Sequence, residues 1–402
     1  MNVLVIGKPQ YNVVLPLEYF PVENSKNKIL EKQEITGSTS VYVACMLAKW
    51  GIKVYYVGAV SGDEIGNKIR NEIESYNIDT KYMEIDYERR SRVNYVLLNK
   101  ANGTSTEILH DNDTFLKKYK YDILPDYIIT DGTDMGASIA AINNYPKAKI
   151  ILLAKNISNE YLSLSKQSSY VCASMDFAKA LTKLDFEFNK PKSLVALYQK
   201  IKDLNRAEYM VMLHDKGVLY AKDRQVKMIP GIPIEKKEND ANSGAAFFGA
   251  FCYGILNGYD ADTIAKTANI AAGLSLTKSG GIDAIIDKVE VFTTAGLDEE
   301  KIKAALNQNL TANEIKTESV VQNTLVTANN EQVLQNNVEP LPQPVDQNTA
   351  EIVDTNMPKV SDAMPKATET VQVQSAEVKM PQMSQNNNNN NQAEGTITNA
   401  NG

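Results

Sequence analysis

Beyond Phe292 the sequence contains no aromatic residue, and what remains is mostly Asn, Gln, Thr, Val, Glu and Pro, with asparagine unbroken over 386–391. Such a segment buries too little apolar surface to offset the entropy of ordering it. A disordered Asn/Gln-rich tail is therefore expected over 311–402. That leaves one domain, 1–300, near the upper size for a single core. Only three cysteines occur, Cys45, Cys172 and Cys252, in apolar surroundings and without metal-ligand spacing. An odd number without a secretory signal implies reduced thiols and a cytoplasmic setting. The net charge is −7. With no basic stripe interleaved with aromatics, nothing favours nucleic acid. No apolar run approaches a membrane span. The opening MNVLVIGKP lacks the basic and long hydrophobic parts of a targeting peptide and reads as a first β-strand.

Through the first 290 residues, apolar runs of strand length alternate with helical patterns. Strands are expected at Val3 to Ile6, Val54 to Val60, Tyr127 to Thr130, Ile150 to Leu153, Tyr170 to Ala173 and Tyr209 to Leu213. Runs this continuously apolar suit strands covered on both faces of a parallel sheet. Between them, Ile65, Ile69, Ile73 and Tyr76 recur at helical spacing, as do Ala265, Asn269, Ala272 and Leu276. The expected fold is α/β, a doubly wound and mostly parallel sheet flanked by helices. Two segments interrupt the alternation. Residues 12–36 are polar with short β-like pieces, and 93–109 read as a hairpin turning at Asn102-Gly103. They form either a small β lid or two surface loops.

The most informative stretch is NDANSGAAFFGAF, from Asn239 to Phe251, where small residues lead into an apolar helix expected over Phe247 to Leu256. A helix start of this kind is either a ready anion site or tight packing of a helix on a sheet.

The stretch resembles the signature D-T-x-G-A-G-D-A-F-x-G-A-F of the ribokinase (PfkB carbohydrate kinase) family, nearly verbatim over AFFGAF. Four further segments match in order. They are Val60 to Gly66 (V-G-x-D-x-x-G), Ser174 to Thr182 (S-x-x-F-A…L-T), Leu213 to Tyr220 (L-G-x-x-G), and Ala268 to Gly281, the family's last core helix and its cap. The resemblance spans Met1 to about Val291. It implies a ribokinase-like fold with a lid and ATP with Mg²⁺ as cofactors of an active enzyme. It also implies a nucleotide or small metabolite as ligand, and pairing of two copies through the lid. By the same resemblance, Asn242, Ser243, Gly244, Gly217 and Asn269 occupy nucleotide- and phosphate-binding positions. Asn12, Gly37, Ser38 and Tyr42 occupy sugar-binding positions.

The departures carry the functional expectation. By the resemblance, the family's catalytic base, an Asp, is replaced by alanine, Ala245 when the match is anchored on AFFGAF and Ala245 or Ala246 when it is anchored on Asp240-Ala241-Asn242, and a methyl group accepts no proton. Asn242 stands where the phosphate loop has Gly, although Asn tolerates positive φ and the turn can survive. Asn12 replaces the sugar-gripping Asp, Ser38 replaces the second Gly of G-G-x-x-x-N, and Tyr42 replaces its Asn and would fill much of a sugar's space. His214 replaces the first Gly of G-x-x-G and reads either as a nucleotide contact or as a surface loop residue. Phe177 stands where many members carry the metal-placing Glu, and no metal ligand is expected. Arg89, Arg90 and Arg92 either close over a phosphorylated ligand or form a charged lid face. Trp50 and Cys252 are expected in the core. Taken together these changes favour a catalytically impaired homologue that keeps a nucleotide- or anion-type pocket. The alternative is an active ATP-dependent sugar phosphotransferase with a non-standard base, Asp240 being the first candidate.

Overall fold

The computed structural model describes residues 1–110, 116–238 and 241–308. The tail expected over 311–402, and Asp240, lie outside the described residues. Thirteen strands are seen among them. They are β1 (Val3–Ile6), β2 (Gln10–Leu17), β3 (Gln33–Gly37), β4 (Val54–Ser61), β5 (Asp79–Asp86), β6 (Val93–Asn99), β7 (Thr104–His110), β8 (Tyr127–Thr130), β9 (Lys149–Ala154), β10 (Tyr170–Ser174), β11 (Glu208–Met212), β12 (Val218–Lys222) and β13 (Gln225–Ile229). The helices are α1 (Thr39–Lys49), α2 (Glu64–Ser75), α3 (Met135–Asn144), α4 (Asn159–Gln167), α5 (Met175–Thr182), α6 (Pro191–Leu204), α7 (Ser243–Leu256), α8 (Ala261–Ser275) and α9 (Lys288–Thr294).

A nine-stranded sheet runs in the order β13-β12-β11-β10-β9-β8-β1-β4-β5. It is parallel from β5 to β11, and β12 and β13 join antiparallel. Strand alternation sends its side chains to two cores. Val3 and Val5 pack with residues of α1, α7 and α8, while Leu4 and Ile6 pack with Ala137 and Ala141 of α3. All four are fully buried, which is why β1 reads as an unbroken apolar run. Of the unexpected strands, β5 and β13 are the two edges of the sheet, and β12 lies between β13 and β11. An edge strand is less covered, so charged residues such as Lys81 and Lys227 interrupt the apolar pattern of β5 and β13.

Helix α7 is apolar all round, and every residue from Ala245 to Leu256 is buried, as expected of a helix packed on all sides. It begins at Ser243, four residues before the expected start, because Gly244, Ala245 and Ala246 add helical turns without adding apolar periodicity. Trp50 is in the core, with its indole N–H donating to the Ile286 carbonyl at 3.0 Å, and the thiol of Cys252 is buried.

A second sheet, in the order β3-β2-β6-β7, forms the lid. Its register sets Asn12 beside Asn94. Asp63 fixes the approach to it. The carboxylate caps α2 by accepting from the Gly66 N–H at 2.8 Å and also accepts from the Ser91 N–H and hydroxyl, just before β6.

Candidate active site

Ligands of open α/β sheets bind beyond the carboxyl ends of the strands where strand order reverses. Here β1 stands between β8 and β4, and a cavity of about 240 Å³ opens at that end, between the large sheet and the lid. Its lining includes Asn12, Gly37, Ser38, Tyr42, Asn242 and Ala245. Six positions singled out in the sequence thus meet in one place. Gly244 lies beside the cavity, 3.4 Å from the Lys155 amine measured from where its Cβ would be. Ser243, its neighbour, starts α7.

Gly217 and Asn269 do not line this cavity. They converge instead on the segment after β13. Gly217 has φ +105°, and a Cβ there would stand 1.9 Å from the Ile229 carbonyl oxygen. The Asn269 amide donates to the Pro230 carbonyl at 2.8 Å. His214, at the start of the adjoining 3-10 turn, is exposed and holds φ +53°.

The first turn of α7 carries the phosphate-loop resemblance. The first intrahelical bond runs from the Ala246 N–H to the Asn242 carbonyl at 2.9 Å, so the amides of Gly244 and Ala245 precede it. Asn242 departs from the expectation of a left-handed turn. It takes φ −95°, and its side chain donates to the Gly280 carbonyl at 2.6 Å. That bond, rather than positive φ, holds the turn. Of the two alanines, Ala245 faces the cavity, while Ala246 is fully buried and does not line it.

On the lid side, Asn12 is engaged in an amide ladder. Its Oδ1 accepts from Gln10 at 2.9 Å and from Asn94 at 3.1 Å, and Asn94 donates on to Glu107 at 2.9 Å. The Asn12 amide nitrogen packs 2.0 Å from where a Cβ on Gly37 would be, so that position admits only glycine without displacement. Ser38 keeps a glycine-like backbone, φ 117° and ψ 163°, while its hydroxyl accepts from the Val41 N–H at 3.3 Å. Tyr42 is 2% exposed, its hydroxyl has no partner among the described residues, and burial raises its pKa.

The structure adds residues that the sequence did not mark. Lys155 follows the C-terminal end of β9, and its Nζ donates to Thr39 Oγ1 at 3.4 Å inside the cavity. Water reaches Lys155 through the mouth, yet protein crowds it. The resulting loss of hydration lowers its pKa below the ordinary lysine value, against the pull of Asp131, Cys172 and Glu107. Asp131 is committed to the Ser40 N–H and to both the N–H and hydroxyl of Thr133. Arg92, from the trio on the lid, reaches the cavity wall.

Among the described residues the cavity lining has one carboxylate, Glu107, already bonded to Asn94. No group of three acidic, His or Cys side chains that could hold a metal is present among them. Ser174 caps α5 by accepting from the Phe177 N–H at 3.1 Å, and Phe177 itself is fully buried. Magnesium usually binds one or two carboxylates together with substrate phosphates. Among the described residues the cavity offers it Glu107 alone.

This geometry has counterparts among known proteins. Residues 41–288 match the pfkB family carbohydrate kinase description. The chain is 22% identical over 306 residues to the ribokinase of Bacillus subtilis, covering 72% of this chain and 98% of that one. It is 24% identical over 289 residues to a 5-dehydro-2-deoxygluconokinase of Shouchella clausii, covering 62% and 82%. Its fold matches a ribokinase from Cryptococcus neoformans in complex with ADP, with a TM-score of 0.62, 15% identity and coverage of 73% and 99%. It also matches an Arabidopsis thaliana ribokinase complexed with ribose and ATP, with a TM-score of 0.56, 16% identity and coverage of 74% and 99%. Among the described residues no helix is long and apolar enough to cross a membrane. With the sheet order, the lid and a family match over more than half its length, this chain belongs to the pfkB family of carbohydrate kinases.

Proposed function

We propose that this family member still holds a phosphate-bearing ligand, a nucleotide or small metabolite, but transfers phosphoryl groups to neutral sugars poorly. The observation that carries the reading is Ala245. It lines the cavity in the first turn of α7, where a carboxylate would take the acceptor hydroxyl's proton. A positioned base typically contributes about a hundred- to ten-thousand-fold. On the sugar side, Tyr42 takes up space and the Asn12 oxygen is already shared by two amides.

Binding of phosphate asks for less than catalysis. The amides of Gly244 and Ala245 open a fourteen-residue helix whose N-terminal end favours negative charge. The ADP and ATP carried by the two ribokinase structures support a nucleotide there. A second copy of the chain is the proposed partner, paired through the lid, where Tyr95 and Ile108 are exposed.

A restoration series tests the reading. Ala245→Asp alone should recover little ribose-dependent ATP turnover. The same change with Asn12→Asp, Ser38→Gly and Tyr42→Asn should recover clearly more. Full recovery from Ala245→Asp alone would contradict an eroded sugar side.

A further inference from the structure

The lid sheet has little apolar packing of its own, a cluster of Val14, Val96 and Leu98 with Ile35 against it. What fixes it lies at the two ends of its strands. β2 and β6 run side by side from Tyr11 and Val93 to Leu17 and Asn99, roughly 20 Å along the strands. At the near end, Tyr11 packs into the main core and its hydroxyl accepts from Lys68 Nζ at 2.6 Å, while Asp63 holds Ser91. Both bonds tie this end to α2.

At the far end, the turn after β6 reaches the segment that joins β13 to α7. Lys100 Nζ stands 3.0 Å from Glu238 Oε2, and Lys236 Nζ holds Glu238 Oε1 at 2.6 Å. The bonds from Lys236 and then Lys100 bring the Glu238 carboxyl down to about 2, so it is ionised at neutral pH. Gly103, at φ +72°, sits so close that a Cβ there would stand 2.8 Å from the Lys237 carbonyl oxygen. Close approach and left-handed backbone both require glycine at this turn. The receiving segment is itself anchored, because the Glu238 N–H donates to the Leu276 carbonyl at 2.8 Å, just past α8. Three residues further on, Ala241 and Asn242 line the cavity.

We propose that the chain latches its own lid: the Lys100–Glu238 ion pair and the seat of Gly103 on Lys237 hold the far end shut without help from a ligand. The near end, tied to α2, is then the hinge. Lys100 and Glu238 keep 35% and 28% of their side-chain surface in water, so the pair is weak as a general stabiliser. Its effect comes from its place at the end of the lever, opposite the hinge. The latch acts in the unliganded chain and so does not depend on which ligand the cavity takes.

Spin-label distances in the ligand-free full chain test it. Labels are attached at Thr106→Cys on β7 and Lys266→Cys on α8, both exposed, while the three native cysteines are buried. The parent should give one short distance. Glu238→Lys sets like charges face to face and should raise the ratio of longer to short distances by roughly tenfold. Lys100→Glu should act in the same direction, and the two reversals together should restore the short distance. Lys236→Met, which removes the other partner of the same carboxylate from its own segment, should leave the lid where it is. The proposal is overturned if both single reversals keep the parent distances, or if the double reversal stays as open as the singles. It is overturned equally if Lys236→Met opens the lid as far as Glu238→Lys. Either reversal suffices for the comparison with the parent, so one misfolded variant does not spare the proposal.

Discussion

Replacing Ser38 with glycine should stabilise the protein. Its backbone, φ 117° and ψ 163°, belongs to a region that essentially only glycine occupies. Holding another residue there costs about 1–3 kcal/mol. Two terms oppose the gain. The Ser38 hydroxyl accepts from the Val41 N–H at a long 3.3 Å, and replacing such a cap by glycine costs only about a few tenths of a kcal/mol. Glycine also frees the unfolded chain, by roughly 0.5–1 kcal/mol. The Ser40 hydroxyl, which contacts Ser38 at 3.0 Å, keeps its bond to Tyr56. The balance is about 1 kcal/mol in favour of Ser38→Gly. At about 2.1 cal/mol/K per residue over roughly 300 residues, that raises the melting midpoint by about 1–2 °C. Ser38→Ala keeps the strain and loses the cap, and should lower stability by about 1 kcal/mol. Paired urea and thermal melts of the ligand-free chain measure both. A lower midpoint for Ser38→Gly than for the unmodified protein would refute the strain argument.

Tyr42→Phe removes a buried hydroxyl with no described partner and should leave stability unchanged or raise it by up to about 1 kcal/mol, read from urea midpoints. Gly217→Ala should destabilise by more than about 2 kcal/mol, because φ is +105° and the new Cβ meets the Ile229 carbonyl. Burial acts to raise the Glu299 pKa, but bonds from Tyr253, Lys303, Lys288 and Tyr259 outweigh it and bring it to about 2. A carboxyl depressed in the folded state stabilises above its unfolded pKa and loses that contribution as pH falls through the folded value. Glu299→Gln should therefore flatten the loss of stability between about pH 5 and pH 2, by on the order of 3 kcal/mol. An unchanged pH profile would show that Glu299 does not carry this linkage.

How much was legible in the sequence depended on whether a signal was local. β1, β4, β8, β9, β10 and β11 were readable because strands buried on both faces are apolar without interruption. The edge strands β5 and β13 were not, since their exposed positions dilute the pattern, and neither was β12, whose buried run is only Val218 to Tyr220. Ala245 was legible because AFFGAF anchors the register of α7 to within one residue, and of the two alanines it is the one that lines the cavity. Ser38 and His214 were visible as lost glycines, but not that each keeps glycine-like positive φ. Asn242 was misjudged because a side-chain bond to Gly280, thirty-eight residues away, decides its conformation. Lys155 was missed altogether. A lone lysine after the apolar run IILLA signals that a strand ends, and only the assembled sheet shows that this end faces α7. In a parallel α/β fold, polar residues just past each strand's carboxyl end are where such a search should begin.

The central claim is that ligand binding outlasts catalysis in this cavity. The direct measurement is ATP-dependent phosphorylation by the unmodified full chain of ribose, common hexoses, ribose 5-phosphate and gluconate, with ADP binding measured on the same preparation. The account predicts measurable ADP binding and turnover far below the roughly 1–100 per second usual for kinases. Turnover of any of these acceptors within that range would contradict it and would require a base other than residue 245.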